Sequence, residues 1–258
     1  MVQNVLPPVI GIVVIAAAAL ATGTASAPSA QPASDITIIG EAIVASPAAA
    51  AALSPMAAAA PPPGCADAAY TFAPWHLGTT YRWAYNAAGA PASVAAQALA
   101  TIHTASQTVA SGRNRCGLAT GLRTTQQYIG ATNKVAQVNA AGACTGNDGT
   151  SVTSWGSLPA SYLAYTCAYY RTRTGVLLSS DLLIDGKVHK WGLTVPANCT
   201  STFDLESVVV HERGHTAGLA HVDQTAHATQ VMSPRNPPCT TIKRTLAAGD
   251  LAGLQRLY

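Results

Sequence analysis

The chain has 258 residues, 49% of them hydrophobic and only 10% charged, with 14 Lys and Arg against 11 Asp and Glu for a net charge of +3. This is too apolar for a wholly disordered chain. The bases are scattered, with no Lys/Arg run and no aromatic-basic stripe, so a nucleic-acid-binding role is not suggested.

The N-terminal quarter does not read as a globular domain. Val9 to Ala21 is an apolar run followed by the small-residue triplet Ala25-Ser26-Ala27. That is signal-peptide length and short for a membrane span. We assign residues 1–27 to a signal peptide with an uncertain cleavage point. No Lys or Arg precedes Arg82, so the usual basic n-region is missing. An uncleaved N-terminal anchor on an exported protein is the alternative. Residues 28–64 are rich in Ala and Pro, with one short apolar patch, Ile36 to Ile39. This composition reads as a flexible linker or short pro-segment without a core of its own. The folded domain is expected over residues 65–258, long enough for one substantial core. Removing residues 1–63 takes away Asp35 and Glu41 and no base, so 14 bases face 9 acids and the net charge becomes +5.

Within the domain, Thr79 to Tyr85 alternates as a strand does. Pro91 to Ser111 has helical spacing through Val94, Ala98, Ile102 and Val109, with Pro91 at a favourable start and Gly112 at the end. Leu118 to Tyr128 and Ser161 to Ile184 are rich in Thr, Tyr and Leu and are predicted as strands. Asp204 is a candidate N-cap for a helix through Leu205, Val208, Val209 and Glu212. Three consecutive valines there are poor helix formers, so burial must hold that helix. The arrangement predicts a mixed α/β domain.

The most informative stretch is His211 to His221, HERGHTAGLAH, which has the form HExxHxxGxxH. On a helix, His211 and His215 lie one turn apart on one face, where two imidazoles can grip one zinc ion. Glu212 sits beside the first ligand, placed to act as general base on a water. Gly218 allows the chain to break out of the helix with positive φ. The chain then delivers His221 as a third nitrogen ligand. Three protein ligands and one open position mark a catalytic zinc site. Eleven residues after His221 comes Met232, within Val231-Met232-Ser233-Pro234.

Together these features resemble the metzincin proteases, and within them the matrixins, especially small secreted bacterial members. In that clan a methionine such as Met232 forms an apolar base beneath the metal, the Met-turn. The likeness runs from about Ala66 to Tyr258. Phe203 to His215 is similar to the active-site helix, and Gly249 to Tyr258 to the C-terminal helix. Gly175 to Asp185 resembles the edge strand of the substrate cleft. Val222 departs from the usual matrixin Ser after the third histidine. Pro234 stands where astacins and serralysins place a transition-state tyrosine. The resemblance implies an α/β (α+β) metzincin-like catalytic domain. Its twisted, mostly parallel sheet would have an antiparallel edge strand, packed with the active-site helix and the C-terminal helix.

It further implies a secreted zinc endopeptidase acting as a monomer. Peptide substrate would lie extended along an edge strand, with Val176 to Ile184 as candidate, and Pro234 to Pro238 would wall the pocket past the scissile bond. Asp250 matches a carboxylate that supports the Met-turn from the last helix. Its other role is a favourable charge at a helix N-terminus. One zinc is expected, because His189 is the only histidine between Cys116 and Asp204. Asp181 and Asp185 could contribute to a calcium site, but two carboxylates do not make one. The non-catalytic alternative is a secreted binding or adhesion protein on the same scaffold. Retention of Glu212 argues against it, since metal binding alone needs no base.

Six cysteines, Cys65, Cys116, Cys144, Cys167, Cys199 and Cys239, behind a signal peptide imply disulfides, with fifteen pairings open. The order of elements favours Cys65–Cys116, Cys144–Cys167 and Cys199–Cys239. The competing reading makes Cys65 a zinc-blocking latency cysteine, as in matrixin pro-segments, although the motif around that cysteine is absent.

Overall fold

A computed structural model describes residues 35–47 and 61–258. The signal-peptide assignment lies outside them. The strands are β1 (Ile36–Ala45), β2 (Thr71–Phe72), β3 (Thr80–Tyr85), β4 (Thr125–Ala131), β5 (Val152–Gly156) and β6 (Tyr162–Arg171). They continue with β7 (Leu177–Asp185), β8 (Lys190–Gly192), β9 (Thr202–Asp204), β10 (Leu219–Ala220) and β11 (Arg235–Asn236). The α-helices are α1 (Ala98–Ser111), α2 (Leu205–Thr216) and α3 (Ala248–Leu257).

Seven strands form one sheet in the order β11-β1-β6-β7-β5-β3-β4. The β4–β3, β3–β5 and β5–β7 pairs are parallel, and β6 runs antiparallel to β7. This is the mixed sheet with active-site and C-terminal helices expected of the fold class. Val94, Ile102 and Val109 from the α1 region, Trp83, Leu182 and Ile184 from the sheet, and Val208 to Val210 from α2 share one buried core.

Two sequence expectations shift at their edges. The helix expected from Pro91 begins at Ala98, because residues 92–97 form successive turns, with the Val94 and Ala95 amides both donating to the Pro91 carbonyl. It ends at Gly112, which has φ 71° and donates its amide back to Val109. The strand expected from Leu118 begins only at Thr125.

Two corrections bear on the cleft. Val176 to Ile184 is not an edge strand. Its core, β7, is paired on both sides, by β5 and β6. The edge position was implied by resemblance, but the polar side chains of this strand are bonded internally. The Ser180 hydroxyl meets that of Thr216 at 3.0 Å, and Asp181 accepts from the Gln137 and Val152 amides at 2.9 Å each. The strand antiparallel to β7 is β6, which pairs on its other side with β1.

The second correction concerns residues 28–64, which are not wholly outside the fold. Ile36 to Ala45 forms a ten-residue strand antiparallel to β6, and Ile43 is fully buried. Low complexity on either side hid it: ITIIGEAIVA is too short and too Ala/Gly-containing to suggest a core by itself. It completes one by adding to a sheet already built.

Cys65–Cys116, Cys144–Cys167 and Cys199–Cys239 are paired, which leaves no free cysteine and no latency thiol at Cys65. The bridges close 51, 23 and 40 residues of chain. Chain-entropy arithmetic for loops of this size gives about 3–4 kcal/mol each. Among the described residues no helix is long and apolar enough to cross a membrane.

Candidate active site

Helix α2 starts at Asp204, whose carboxylate accepts the Ser207 amide at 2.8 Å, satisfying one of the orphan donors of the first turn. Val208, Val209 and Val210 are fully buried, and that burial offsets their poor propensity. Arg213 is also buried. Its guanidinium donates to Ser106 Oγ, Tyr81 OH and Thr153 Oγ1 and lies 4.7 Å from the Trp83 ring centre. Side chains from α1, β3 and β5 thus grip one residue of α2 and fix its rotation.

After Thr216 the helix breaks at Gly218, where φ is 93°. A Cβ there would come within 2.4 Å of the Trp75 carbonyl oxygen, so both conformation and space require glycine. Strand β10, paired with β2, then carries the chain to His221. The indole of Trp75 donates to the His215 carbonyl at 2.8 Å and ties the break to the core.

The three histidines converge. Nε2 of His211 lies 3.0 Å from Nε2 of His215 and 3.1 Å from Nε2 of His221, and the remaining separation is 3.0 Å. Ligands about 2.0–2.1 Å from a tetrahedral zinc lie about 3.3 Å apart, so the cluster fits one ion within a few tenths of an ångström. Nδ1 of His211 is 2.6 Å from the Val231 carbonyl, and Nδ1 of His215 is 2.9 Å from that of Leu219. These acceptors place the proton on Nδ1 and leave Nε2 with its lone pair facing the metal position. Burial, reinforced by the neighbouring histidines, pushes His211 well below its usual pKa and lowers His215 to about 3. Burial and the Lys243 charge lower His221 to about 4. All three are held neutral, the form that binds metal. Among the described residues this is the one such group of three or more His, Cys, Asp or Glu.

Glu212 is fully buried beside the cluster. Its carboxylate accepts from Thr166 Oγ1 at 2.5 Å and from the Ile43 amide at 3.3 Å. Burial raises its pKa to about 8, against the pull of these two bonds. A carboxyl poised near neutrality suits a group that must both take and return a proton.

Beneath the histidines, Met232 packs so closely on α2 that a Cβ on Gly214 would lie 2.3 Å from its sulfur. Asp250 accepts the Val231 amide at 2.8 Å, the Met232 amide at 3.1 Å and the Ala247 amide at 2.9 Å. One carboxylate thus holds the Met232 turn and caps α3. Lys243, also buried, donates to the Ser233 and Arg235 carbonyls and holds the following segment in place.

A model of the matrixin family matches residues 82–258. The chain belongs to the matrixin family. It is also 48% identical over 92 residues to Metalloendoproteinase 1 of Glycine max, an alignment covering 33% of this chain and 29% of that protein. The chain therefore aligns with under a third of that relative's length.

In this matrixin other histidine, acidic and tryptophan side chains have partners away from the triad. His227 pairs with Asp67 at 3.0 Å, and Asp223 accepts the Thr225 and Ala226 amides as a turn carboxylate. Asp185 accepts the Val188 and His189 amides at the end of β7. The four tryptophans are core residues. Sequence reading missed Thr166, Gly214, Lys243 and Trp75. Each reaches the site from a distant part of the chain or by close packing, and none carries a local motif. It also missed β1, whose Glu41 carboxylate lies 3.5 Å from Nδ1 of His221.

Proposed function

We infer that this matrixin is a secreted zinc-dependent endopeptidase, with His211, His215 and His221 as metal ligands and Glu212 as general base. The observation that carries this reading is the convergence of three neutral Nε2 atoms beside a buried carboxyl of raised pKa. His211, His215 and His221 would hold the zinc ion, which would supply Lewis acidity and a water activated near neutral pH. Glu212 takes the proton of the attacking water and delivers it to the departing amine as the peptide bond breaks. Thr166 orients the Glu212 carboxylate throughout. An extended peptide would take main-chain hydrogen bonds from β6 in the place that β1 occupies in this structure, with the segment after Met232 as the wall beyond the scissile bond. Three disulfides fit an oxidising, extracellular setting.

Casein cleavage by the purified chain, with and without a chelator, tests the reading. We expect cleavage that chelation abolishes and added zinc restores. Zinc-loaded, folded protein that cleaves neither casein nor a peptide library would favour the binding-scaffold alternative.

A further inference from the structure

Strand β5 is shorter than its neighbours. It pairs with β3 only from Ala84 onward and with β7 only from Leu182 onward. Before that level, the register sets Thr80, Tyr81 and Arg82 of β3 opposite the start of β7 at Leu177 and Leu178, with no strand between them. Two strand spacings, about 9–10 Å, separate the two walls. The slot is closed at its lower end by a direct parallel bridge between His76 and Val176, where the Leu177 amide donates to the His76 carbonyl at 2.8 Å. At its upper end the Tyr81 hydroxyl donates to the Ser180 carbonyl at 2.8 Å, and the Ser180 amide donates to Ser151 Oγ at 3.0 Å. The cavity left between them is about 400 Å³, within the usual range of a ligand site.

The slot offers a guest backbone groups, apolar walls and one charge. Along β3, the Thr125 amide bonds to the Thr79 carbonyl on the β4 side, and the Ala84 amide bonds to the Ser151 carbonyl on the β5 side. Alternation therefore turns the Thr80 and Arg82 backbone groups into the slot, at a level that β5 does not reach. Leu77 and Leu177 line its buried base, and Ile129 and Leu178 its exposed rim. The base is preformed, because the Leu77 amide donates to the Tyr258 hydroxyl, which donates to the Ala217 carbonyl. Arg82 is exposed near the upper end, and among the described residues no hydrogen bond or ion pair engages its guanidinium. The chain leading into β5 is held outside the slot, with Lys134 Nζ 2.8 Å from Asp148 Oδ2 and 2.7 Å from Thr150 Oγ1. Ser151 occupies the next place in line, so a guest running parallel to β3 and β7 must end before it.

We propose that this slot is a binding site for the free C-terminal end of an extended polypeptide, separate from the histidine triad. About three residues fill the place of the missing β5 segment, level with Thr80, Tyr81 and Arg82. Their amides and carbonyls pair with the backbone of β3, and an apolar side chain packs on Leu77, Leu177 and Leu178. The terminal carboxylate meets Arg82 in a charge-assisted bond. The reverse orientation would set a terminal ammonium beside Arg82, like charge against like. A chain that does not end in the slot has no path past Ser151, so the site selects chain ends and not interior segments. Binding there needs neither zinc nor Glu212, and the proposal stands apart from the endopeptidase reading.

Binding of acetyl-Ala-Leu-Ala to the full-length, metal-stripped protein tests this, with the C-terminal amide of the same peptide as control. Stripping removes zinc as a competing partner for the carboxylate. Calorimetry is expected to show the free acid binding at least about tenfold more tightly than the amide, the worth of one hydrogen bond to a charged group. Backbone amide shifts in NMR spectra are expected at Thr80, Arg82 and Leu178, and not at His211 or His221. Arg82→Gln should remove the preference for the acid without lowering the melting temperature, because the guanidinium holds nothing in the free protein. Leu178→Glu, at an exposed position, should weaken both peptides. Equal affinity for acid and amide, or no binding of either, overturns the proposal. So do an unchanged preference in Arg82→Gln, unchanged binding in Leu178→Glu, and shifts centred on the triad. Decanoate bound as tightly as the peptide acid would assign the slot to alkyl carboxylates and overturn it as well. Casein cleavage is read separately, so a failure here leaves the endopeptidase reading intact.

Discussion

Glu212→Ala is expected to lower casein cleavage by at least about 100-fold while leaving zinc bound. A positioned general base contributes about 10²–10⁴-fold, and the Glu212 carboxylate is held by the Ile43 amide and Thr166 beside the histidine triad. Metal content separates this effect from damage to the site. His211, His215 and His221 orient through Val231, Leu219 and the β10 turn, not through Glu212, so the triad has no reason to fall apart. Removing a buried carboxyl of raised pKa also relieves an unfavourable burial. The variant should therefore melt no lower than wild type, apart from the small cavity. Parallel measurement of zinc content, melting temperature and turnover checks all three. Near-wild-type turnover with zinc bound would remove Glu212 from the chemistry.

Asp250→Ala should produce the largest loss of stability of any single substitution near the site. The carboxylate is fully buried and accepts three backbone amides, two from the Met232 turn and one from the start of α3. Alanine leaves three buried N–H groups without partners, each costing about 1–3 kcal/mol. Partial relaxation brings the expected total to about 3–5 kcal/mol. For a domain of this size that is a fall of roughly 10 °C in melting temperature. Asn is the informative control: its one oxygen can keep the Val231 and Ala247 bonds but turns an amide donor toward Met232. Asp250→Asn should lose about half as much. The melts belong on metal-stripped protein, because bound zinc would add ligand stabilisation and blur the comparison. A melting temperature within a degree of wild type for Asp250→Ala would show that the turn is held by other contacts.

The histidine triad was legible because its pattern is local. Helical periodicity puts His211 and His215 on one face, a glycine marks the break, and eleven residues contain all three histidines. Asp250 was legible only through resemblance, since nothing in the spacing of Met232 and Asp250 says they meet. The disulfides followed the order of elements. The cleft was harder. Resemblance assigned Val176 to Ile184 to the edge of the sheet, yet Ser179, Ser180 and Asp181 each find a partner inside the protein, and the sheet continues through β6 and β1. Strand β1 could not be read from composition, because its stability comes from pairing with β6 and from seating Ile43, contacts separated by well over a hundred residues of sequence. Thr166, Gly214 and Trp75 were invisible for the same reason: each matters through a single long-range contact and not through any pattern around it.

The central claim is that His211, His215 and His221 hold one zinc ion. It is tested most directly by zinc content per chain together with X-ray absorption at the zinc edge, on wild type and His215→Ala. The account predicts one zinc per wild-type chain, three nitrogen ligands at about 2.0–2.1 Å, and loss of the metal in the variant. A well-folded wild-type protein that binds no zinc, or holds it with unchanged affinity after His215→Ala, would contradict it.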